Sequence, residues 1–136
     1  MANYIGQGRS NYFRVRDADA FRAEFEQYCV EIIERAVDGE ILYGFIDTDG
    51  DGGGLSWSRY NEETEDFEDI DYLDAVSKHL AEGEVCIIIE TGSEKYRYLN
   101  GVAYAVNSKG ESKVVSLTDI YEQAKELGSN ITQAQY

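Results

Sequence analysis

The strongest local signal in this 136-residue chain is a β-hairpin between residues 30 and 46. Two runs rich in β-branched and aromatic residues, VEIIERA and EILYGFI, are joined at Val37-Asp38-Gly39. An Asp-Gly pair between such runs favours a tight turn, because these residues tolerate the positive φ that the turn requires. The pattern therefore predicts two antiparallel strands, and any fold of this chain has to include them.

Helical spacing interrupts the strand pattern at three places. Asp17 is the predicted N-cap of a first helix, DADAFRAEFEQYC, in which Phe21, Phe25 and Tyr28 recur at helical spacing. The third helix is predicted over SLTDIYEQAKEL, which Ser116 or Thr118 opens and Gly128 ends. The second and clearest is IDYLDAVSKHLAEG, whose apolar face consists of Ile70, Leu73, Val76 and Leu80.

The remaining apolar runs predict further strands, namely NYFRV, LSWSRY, EVCIIIE, YRYLNGVAYAV and ESKVVSL. EVCIIIE is apolar without alternation, which is typical of a central strand covered on both faces. This mixture of hairpins and helices predicts an α+β fold with a mainly antiparallel sheet and about three helices. We expect one compact domain over residues 1–136, with flexible ends of about ten residues at the N-terminus and about eight at the C-terminus.

Composition narrows the class of protein. The chain is 43% hydrophobic, which is too much for a disordered protein even at a net charge of −15. It contains no apolar run of membrane-spanning length and no signal-peptide pattern at its start, so we expect a cytoplasmic protein. Cys29 and Cys86 show no metal-binding spacing and are expected to be reduced thiols.

The negative charge is concentrated in one segment. Between Asp47 and Asp74 there are eleven acids and a single base, Arg59, whereas the rest of the chain has sixteen acids and eleven bases. Such a charge balance argues against direct binding of nucleic acid or an anionic membrane, and it favours a basic protein surface as the partner. The candidate binding residues are Asp47, Asp49, Asp51, Glu62, Glu63, Glu65, Asp66, Glu68 and Asp69.

The stretch DTDGDGGGLSWS, residues 47–58, invites comparison with a calcium loop. Asp47, Asp49 and Asp51 occupy the first ligand positions of an EF-hand, but Ser58 stands where the bidentate glutamate belongs. The flanking runs also resemble strands rather than helices. A phosphate-binding loop is disfavoured by the three carboxylates and by the lack of a nearby lysine. We therefore predict no specific metal site, and these three aspartates are weak candidates only.

Catalytic patterns are mostly missing, so we expect neither an enzyme nor a cofactor. The single histidine, His79, lies near the end of its predicted helix, where a capping or exposed role is favoured over a general base. No serine stands in a nucleophile-elbow motif. Tyr96, Tyr98 and Tyr104 alternate on strand-like runs and are interpreted as packing residues.

Two segments carry a resemblance to known proteins. MANYIGQGRSNYFRVRDADAF and SEKYRYLNGVAYAVNSKGE with SLTDIYEQA, about half of the chain, resemble small uncharacterised accessory proteins of bacterial conjugative plasmids, integrative elements and phages. The resemblance implies the setting of a mobile element and no particular binding residues. Such elements often encode acidic antirestriction or anti-CRISPR proteins that imitate DNA, a link that rests here on charge and setting.

Three functional hypotheses follow from the sequence. The first is a non-enzymatic binding protein whose acidic segment imitates DNA and blocks a basic, nucleic-acid-binding surface of a host protein. The second is a module in which a calcium ion orders the aspartate loop, and the third is a plain protein–protein adaptor of a mobile element. The competing interpretation of the charge is a solvated face that keeps a small protein soluble.

Overall fold

The predicted hairpin is present, and its turn has the expected backbone. A computed structural model describes residues 4–48, 54–96 and 99–134. In it, strands β2 (Val30–Val37) and β3 (Glu40–Asp47) pair antiparallel along their full lengths. Asp38 and Gly39 have φ values of 49° and 82°, the left-handed conformation of a two-residue turn.

A six-stranded sheet organises the described residues into one α+β domain, as predicted. The strand order is β2-β3-β1-β6-β7-β8, and every neighbouring pair is antiparallel. A separate two-stranded sheet pairs β4 with β5. The other elements are β1 (Ile5–Ser10), α1 (Ala18–Phe25), β4 (Ser58–Asn61), β5 (Asp66–Asp69), α2 (Tyr72–Ser77), β6 (Val85–Ser93), β7 (Asn100–Asn107), β8 (Ser112–Ser116) and α3 (Asp119–Ala124).

The N-terminal residues depart most from the sequence-based expectation. A flexible segment is expected over the first ten residues, yet β1 lies inside the sheet between β3 and β6. IGQGRS shows no apolar alternation because glycines occupy the covered face; a Cβ on Gly8 would lie 2.9 Å from Leu55 Cγ. The strand predicted over NYFRV is also wrong, since Phe13 and Val15 form only isolated bridges, to Tyr43 and Leu80.

The core lies on one face of the sheet, beneath α1 and α2. Asp17 caps α1 as predicted, because its carboxylate accepts hydrogen bonds from the N–H groups of Asp19 and Ala20. That cap fixes the start of the helix, and Phe21 and Phe25 then point into the core. The largest fully buried side chains are Phe13, Phe21, Phe25, Phe45, Tyr72, Val76, Leu80, Ile88 and Val106.

The opposite face of the sheet is open, which corrects the prediction for EVCIIIE. In β6, Cys86 and Ile88 are buried, whereas Val85, Ile87 and Ile89 are exposed. The strand therefore alternates in burial although its residues do not alternate in polarity. An unbroken apolar run indicates burial on both faces only when a second layer covers the sheet.

The helices are shorter than predicted, and the last one buries no residue. Cys29 and Cys86 are both free thiols, as expected. Burial raises the pKa of the Cys86 thiol to about 12, so this side chain behaves as a small apolar group. No helix within the described ranges is long and apolar enough to cross a membrane.

Candidate partner-binding surface

Much of the acidic segment folds into a β-hairpin, Ser58–Asp69, here called the acidic hairpin. It consists of β4 and β5, which pair from Ser58↔Asp69 to Asn61↔Asp66. Sequence patterns predict a strand over LSWSRY but none over residues 66–69. The second strand was missed because charged residues surround its one aromatic residue, Phe67.

Asn61 directs the turn at the tip of the acidic hairpin. Its side-chain oxygen accepts hydrogen bonds from the N–H groups of Glu63 (2.9 Å) and Thr64 (3.4 Å). Glu65 then adopts φ 53°, and this left-handed residue returns the chain to β5. Such Asn-centred turns are a common way to close a hairpin loop, and the run NEET between Tyr60 and Phe67 was the sequence signal for this one.

The base of the acidic hairpin is fixed to the core. Ile70, which is buried, donates its N–H to the carbonyl of Trp57 at 2.7 Å. The Tyr72 hydroxyl donates to the carbonyl of Ser56 at 2.7 Å, and the Trp57 ring lies 4.8 Å from the Tyr72 ring. These contacts hold the start of β4 against α2, so the hairpin has a rigid base.

Arg59 neutralises one of the predicted binding residues. Its Nε lies 2.6 Å from Glu68 Oε1, and its guanidinium stacks 5.8 Å from the centre of the Tyr28 ring. Hydrogen bonds from Arg59, and then from Asn61, lower the pKa of Glu68. Glu68 is thus paired within the hairpin, and it contributes little to an outward negative field.

The carboxylates near the tip are exposed and have no cationic partner among the residues that the structure describes. Glu62, Glu63 and Glu65 make no side-chain hydrogen bond or ion pair within the described ranges. Asp66 accepts a hydrogen bond from the N–H of the next residue, at 2.8 Å, and Asp69 is exposed beside the base of the hairpin. The hairpin as a whole contains six acids and one base.

An aromatic pair accompanies these acids. Tyr60 and Phe67 are direct cross-strand partners whose ring centres lie 5.4 Å apart. They remain 53% and 70% exposed, respectively. Large rings that project from a hairpin without burial in the core are a feature of binding surfaces. Sequence reasoning missed both residues; their positions on either side of the turn were the only signal.

A polar groove separates the acidic hairpin from the end of α1. It has a volume of about 790 Å³, and Arg59, Glu62 and Phe67 line it together with Gln27 and the exposed Cys29. Carboxylates at the rim and a ring on the wall suit a long basic side chain, whose stem is apolar and whose end is charged. The groove is open, so a partner's side chain can enter it without any movement of the core.

The aspartate loop, with Asp47, Asp49 and Asp51, is not part of the acidic hairpin, and of these three residues the structure describes only Asp47. Asp47 lies in β3 on the six-stranded sheet, where its carboxylate accepts the N–H of Gly8 at 2.6 Å. Asp49 and Asp51 lie outside the described residues. The structure therefore does not place the three predicted aspartates beside one another, and Asp47 has a structural partner.

His79 is neither exposed nor a helix cap, contrary to the expectation. Its Nε2 lies 2.7 Å from Glu24 Oε1, and the Tyr28 hydroxyl donates to Glu24 Oε2 at 2.5 Å. Burial alone would raise the pKa of Glu24, but hydrogen bonds from Tyr28 and His79 and the charge of Lys78 together lower it. Burial and the bond to Glu24 raise the pKa of Tyr28 to about 12. The cluster joins α1 to the end of α2.

The tyrosines on the later strands have different surroundings. Tyr104 packs against Trp57, with ring centres 5.3 Å apart, as predicted for a packing residue. Tyr96 is 78% exposed, so its predicted packing role is wrong, and Tyr98 lies outside the described residues.

The acidic hairpin is the candidate site, because it holds exposed carboxylates and aromatic rings on a rigid base. Compared with known proteins, the chain matches no protein-family model, no curated protein and no solved structure.

Proposed function

We propose that the acidic hairpin binds a basic, nucleic-acid-binding surface of another protein and blocks it by imitating DNA. The observation that carries the proposal is the group of exposed carboxylates at the tip, which form no ion pair within the described residues. Within the described residues no cation pairs with these carboxylates to offset the repulsion between them. A basic surface of a partner would relieve this repulsion. The setting implied by the resemblance, a mobile genetic element in a bacterial host, is consistent with an inhibitor of a host protein.

The charge density of the hairpin is of the same order as that of a duplex. Strands of four residues span about 13 Å at ~3.3 Å per residue. Over that length duplex DNA carries about eight phosphate charges, at one per ~1.7 Å of axis. The strands of the hairpin carry three acids, one of them paired with Arg59, and its turn carries three more. The two densities are of the same order, which is the requirement for imitation of a phosphate field.

The aromatic pair supports a protein as the partner. Tyr60 and Phe67 offer apolar area beside the carboxylates, and aromatic residues dominate the binding energy of many protein interfaces. A phosphate backbone has no counterpart to these rings. In the adaptor alternative the rings carry the binding and the acids only keep the hairpin soluble, so the two candidates differ in which residues matter.

The test begins with capture of host proteins on the immobilised chain, followed by purification of the captured protein. Binding of that protein to a labelled DNA duplex is then measured while the acidic protein is titrated in. One variant changes Glu62, Glu63, Glu65 and Asp66 to their amides. A matched control removes the same number of charges elsewhere, at the exposed residues Glu82, Glu111, Glu122 and Glu126.

The wild-type protein should displace the duplex. Its own binding to the captured protein, measured without DNA, should weaken steeply as salt rises, because exposed charges are screened over ~8–10 Å near physiological ionic strength. The hairpin variant should lose displacement and the control should keep it. If both variants displace the duplex equally, the acids are not the binding surface. If Tyr60→Ala with Phe67→Ala abolishes binding while the amide variant does not, the adaptor function replaces the proposed one.

A further inference from the structure

The open face of the six-stranded sheet leaves several apolar side chains uncovered among the described residues. The register places Arg9, Ile89, Ala103 and Val115 in one row across β1, β6, β7 and β8. Ile89 is 51% exposed and Val115 is 58% exposed. The helix α3 follows the edge strand β8 and buries none of its own residues. Contiguous apolar patches of this kind mark interaction sites.

On this face a row of large side chains on β6, called the ridge, lies beside a row of small residues on β7, called the trough. Ile87 and Ile89 project from β6 and form the ridge. The adjacent positions on β7 are Gly101, Ala103 and Ala105, whose small side chains leave a trough. A cavity of about 250 Å³ lies over the trough, and Leu117 closes its far side, above Gly101.

Charge favours a second copy as the occupant. The whole chain carries −15, so two copies repel each other over most of their surfaces. On the open face, β1, β6, β7 and β8 present two bases, Arg9 and Lys113, and no acid, whereas β2 and β3 on one side of them add Glu31, Arg35 and Glu40. The part of the open face formed by β1, β6, β7 and β8 is therefore one on which two copies can approach without the repulsion of acids.

We propose that two copies of this chain pack their open faces together around a twofold axis. The β6 ridge of each copy enters the β7 trough of the other, so the axis makes the same contact twice. The two sheets then form a sandwich, with the usual separation of about 10 Å between layers. The acidic hairpins belong to the helix-covered layer and remain free on the outside, and the proposal is independent of what they bind.

The test is the molar mass in solution, measured by analytical ultracentrifugation over a range of protein concentrations. Ile89→Lys places an ammonium group in the proposed interface. Ile41→Lys is the matched control, because Ile41 is also 51% exposed, but its register in β3 directs it toward the helix-covered face. Circular dichroism verifies that both variants are folded.

The wild type and Ile41→Lys should have the mass of two chains at micromolar concentration. Ile89→Lys should raise the dissociation constant of the dimer by ~100-fold or more, since the axis buries the unpaired charge twice. Added salt should strengthen the dimer by screening the repulsion between the two acidic chains. A wild type that stays monomeric at every concentration overturns the proposal, as does a dimer that Ile89→Lys leaves intact or that both variants weaken equally.

Discussion

The two faces of the six-stranded sheet differ more in what lies above them than in the residues they contain. Ile88 and Ile89 are neighbours in β6, yet Ile88 is 0% exposed and Ile89 is 51% exposed. The helices α1 and α2 pack over the first of these and leave the second open. Burial is therefore a property of the layers around a strand, and an apolar residue does not by itself show which face it is on.

The covered face satisfies its buried polar groups by hydrogen bonds, whereas the open face exposes its side chains to solvent. The buried Ser10 accepts the N–H of Phe45 at 2.9 Å and donates to the carbonyl of Asn11 at 2.7 Å. Within the described residues, no buried side-chain nitrogen or oxygen lacks a hydrogen-bond partner. Substitutions on the covered face should therefore cost stability through packing and hydrogen bonding, and substitutions on the open face should cost little.

The largest expected effect compares the neighbouring isoleucines of β6. Ile88→Ala should lower the free energy of unfolding by about 2–5 kcal/mol, because it empties a fully buried site, and Leu80→Ala should do the same. Ile89→Ala should lower it by at most about 1 kcal/mol when measured in dilute solution. Urea unfolding measures the free energy of unfolding of all three variants. Equal losses in Ile88→Ala and Ile89→Ala would contradict a sheet with one covered face and one open face.

A smaller loss of stability is expected from the contact that fixes the base of the acidic hairpin to α2. Tyr72→Phe removes the hydroxyl that donates to the Ser56 carbonyl and should cost about 1–2 kcal/mol. Tyr60→Phe is the matched control, since that ring is 53% exposed, and it should change stability by less than about 0.5 kcal/mol. Thermal unfolding of both variants measures the difference, and a reversed order would place the hairpin's anchor elsewhere.

Acid should weaken the junction between α1 and α2. The pKa of Glu24 lies below its ordinary value of 4.5, so its carboxylate stabilises the fold fully above that value. This stabilisation is lost as the pH falls through the lower pKa of the folded state, because protonation weakens the contacts of Glu24 with Tyr28, His79 and Lys78.

Glu24→Gln should therefore reduce the loss of unfolding free energy between pH ~6 and ~3. Glu26→Gln, at an exposed position on the same segment, should leave that loss unchanged. Urea unfolding at several pH values measures both, and an unchanged pH dependence in Glu24→Gln would mean that other carboxylates cause it.

The smallest effect on stability is expected at the tip of the acidic hairpin. Changing Glu62, Glu63, Glu65 and Asp66 to amides should alter the free energy of unfolding by less than about 0.5 kcal/mol, or raise it slightly by relief of repulsion. These exposed residues lie outside both faces of the large sheet. A loss above ~2 kcal/mol, seen in urea unfolding, would show that the acids are needed for the fold.

Local chemistry makes several parts of this protein predictable from sequence. Asp38-Gly39 specifies a hairpin turn and Asp17 specifies a helix start, because each acts on backbone groups within four residues of itself. The uneven distribution of charge likewise locates the acidic segment along the chain. These features depend on neighbours in sequence, so the sequence is sufficient to predict them.

The tertiary structure decides the features whose partners are distant in sequence. β1 lies inside the sheet because it pairs with β6, far along the chain. The N–H of Gly8 also bonds to Asp47, which lies 39 residues away, and this bond engages a predicted binding aspartate. Tyr60 and Phe67 become a surface pair only when the hairpin forms between them. Whether Ile88 or Ile89 is buried depends on where α1 and α2 pack. Sequence periodicity describes one element at a time, whereas burial and register arise from contacts between elements.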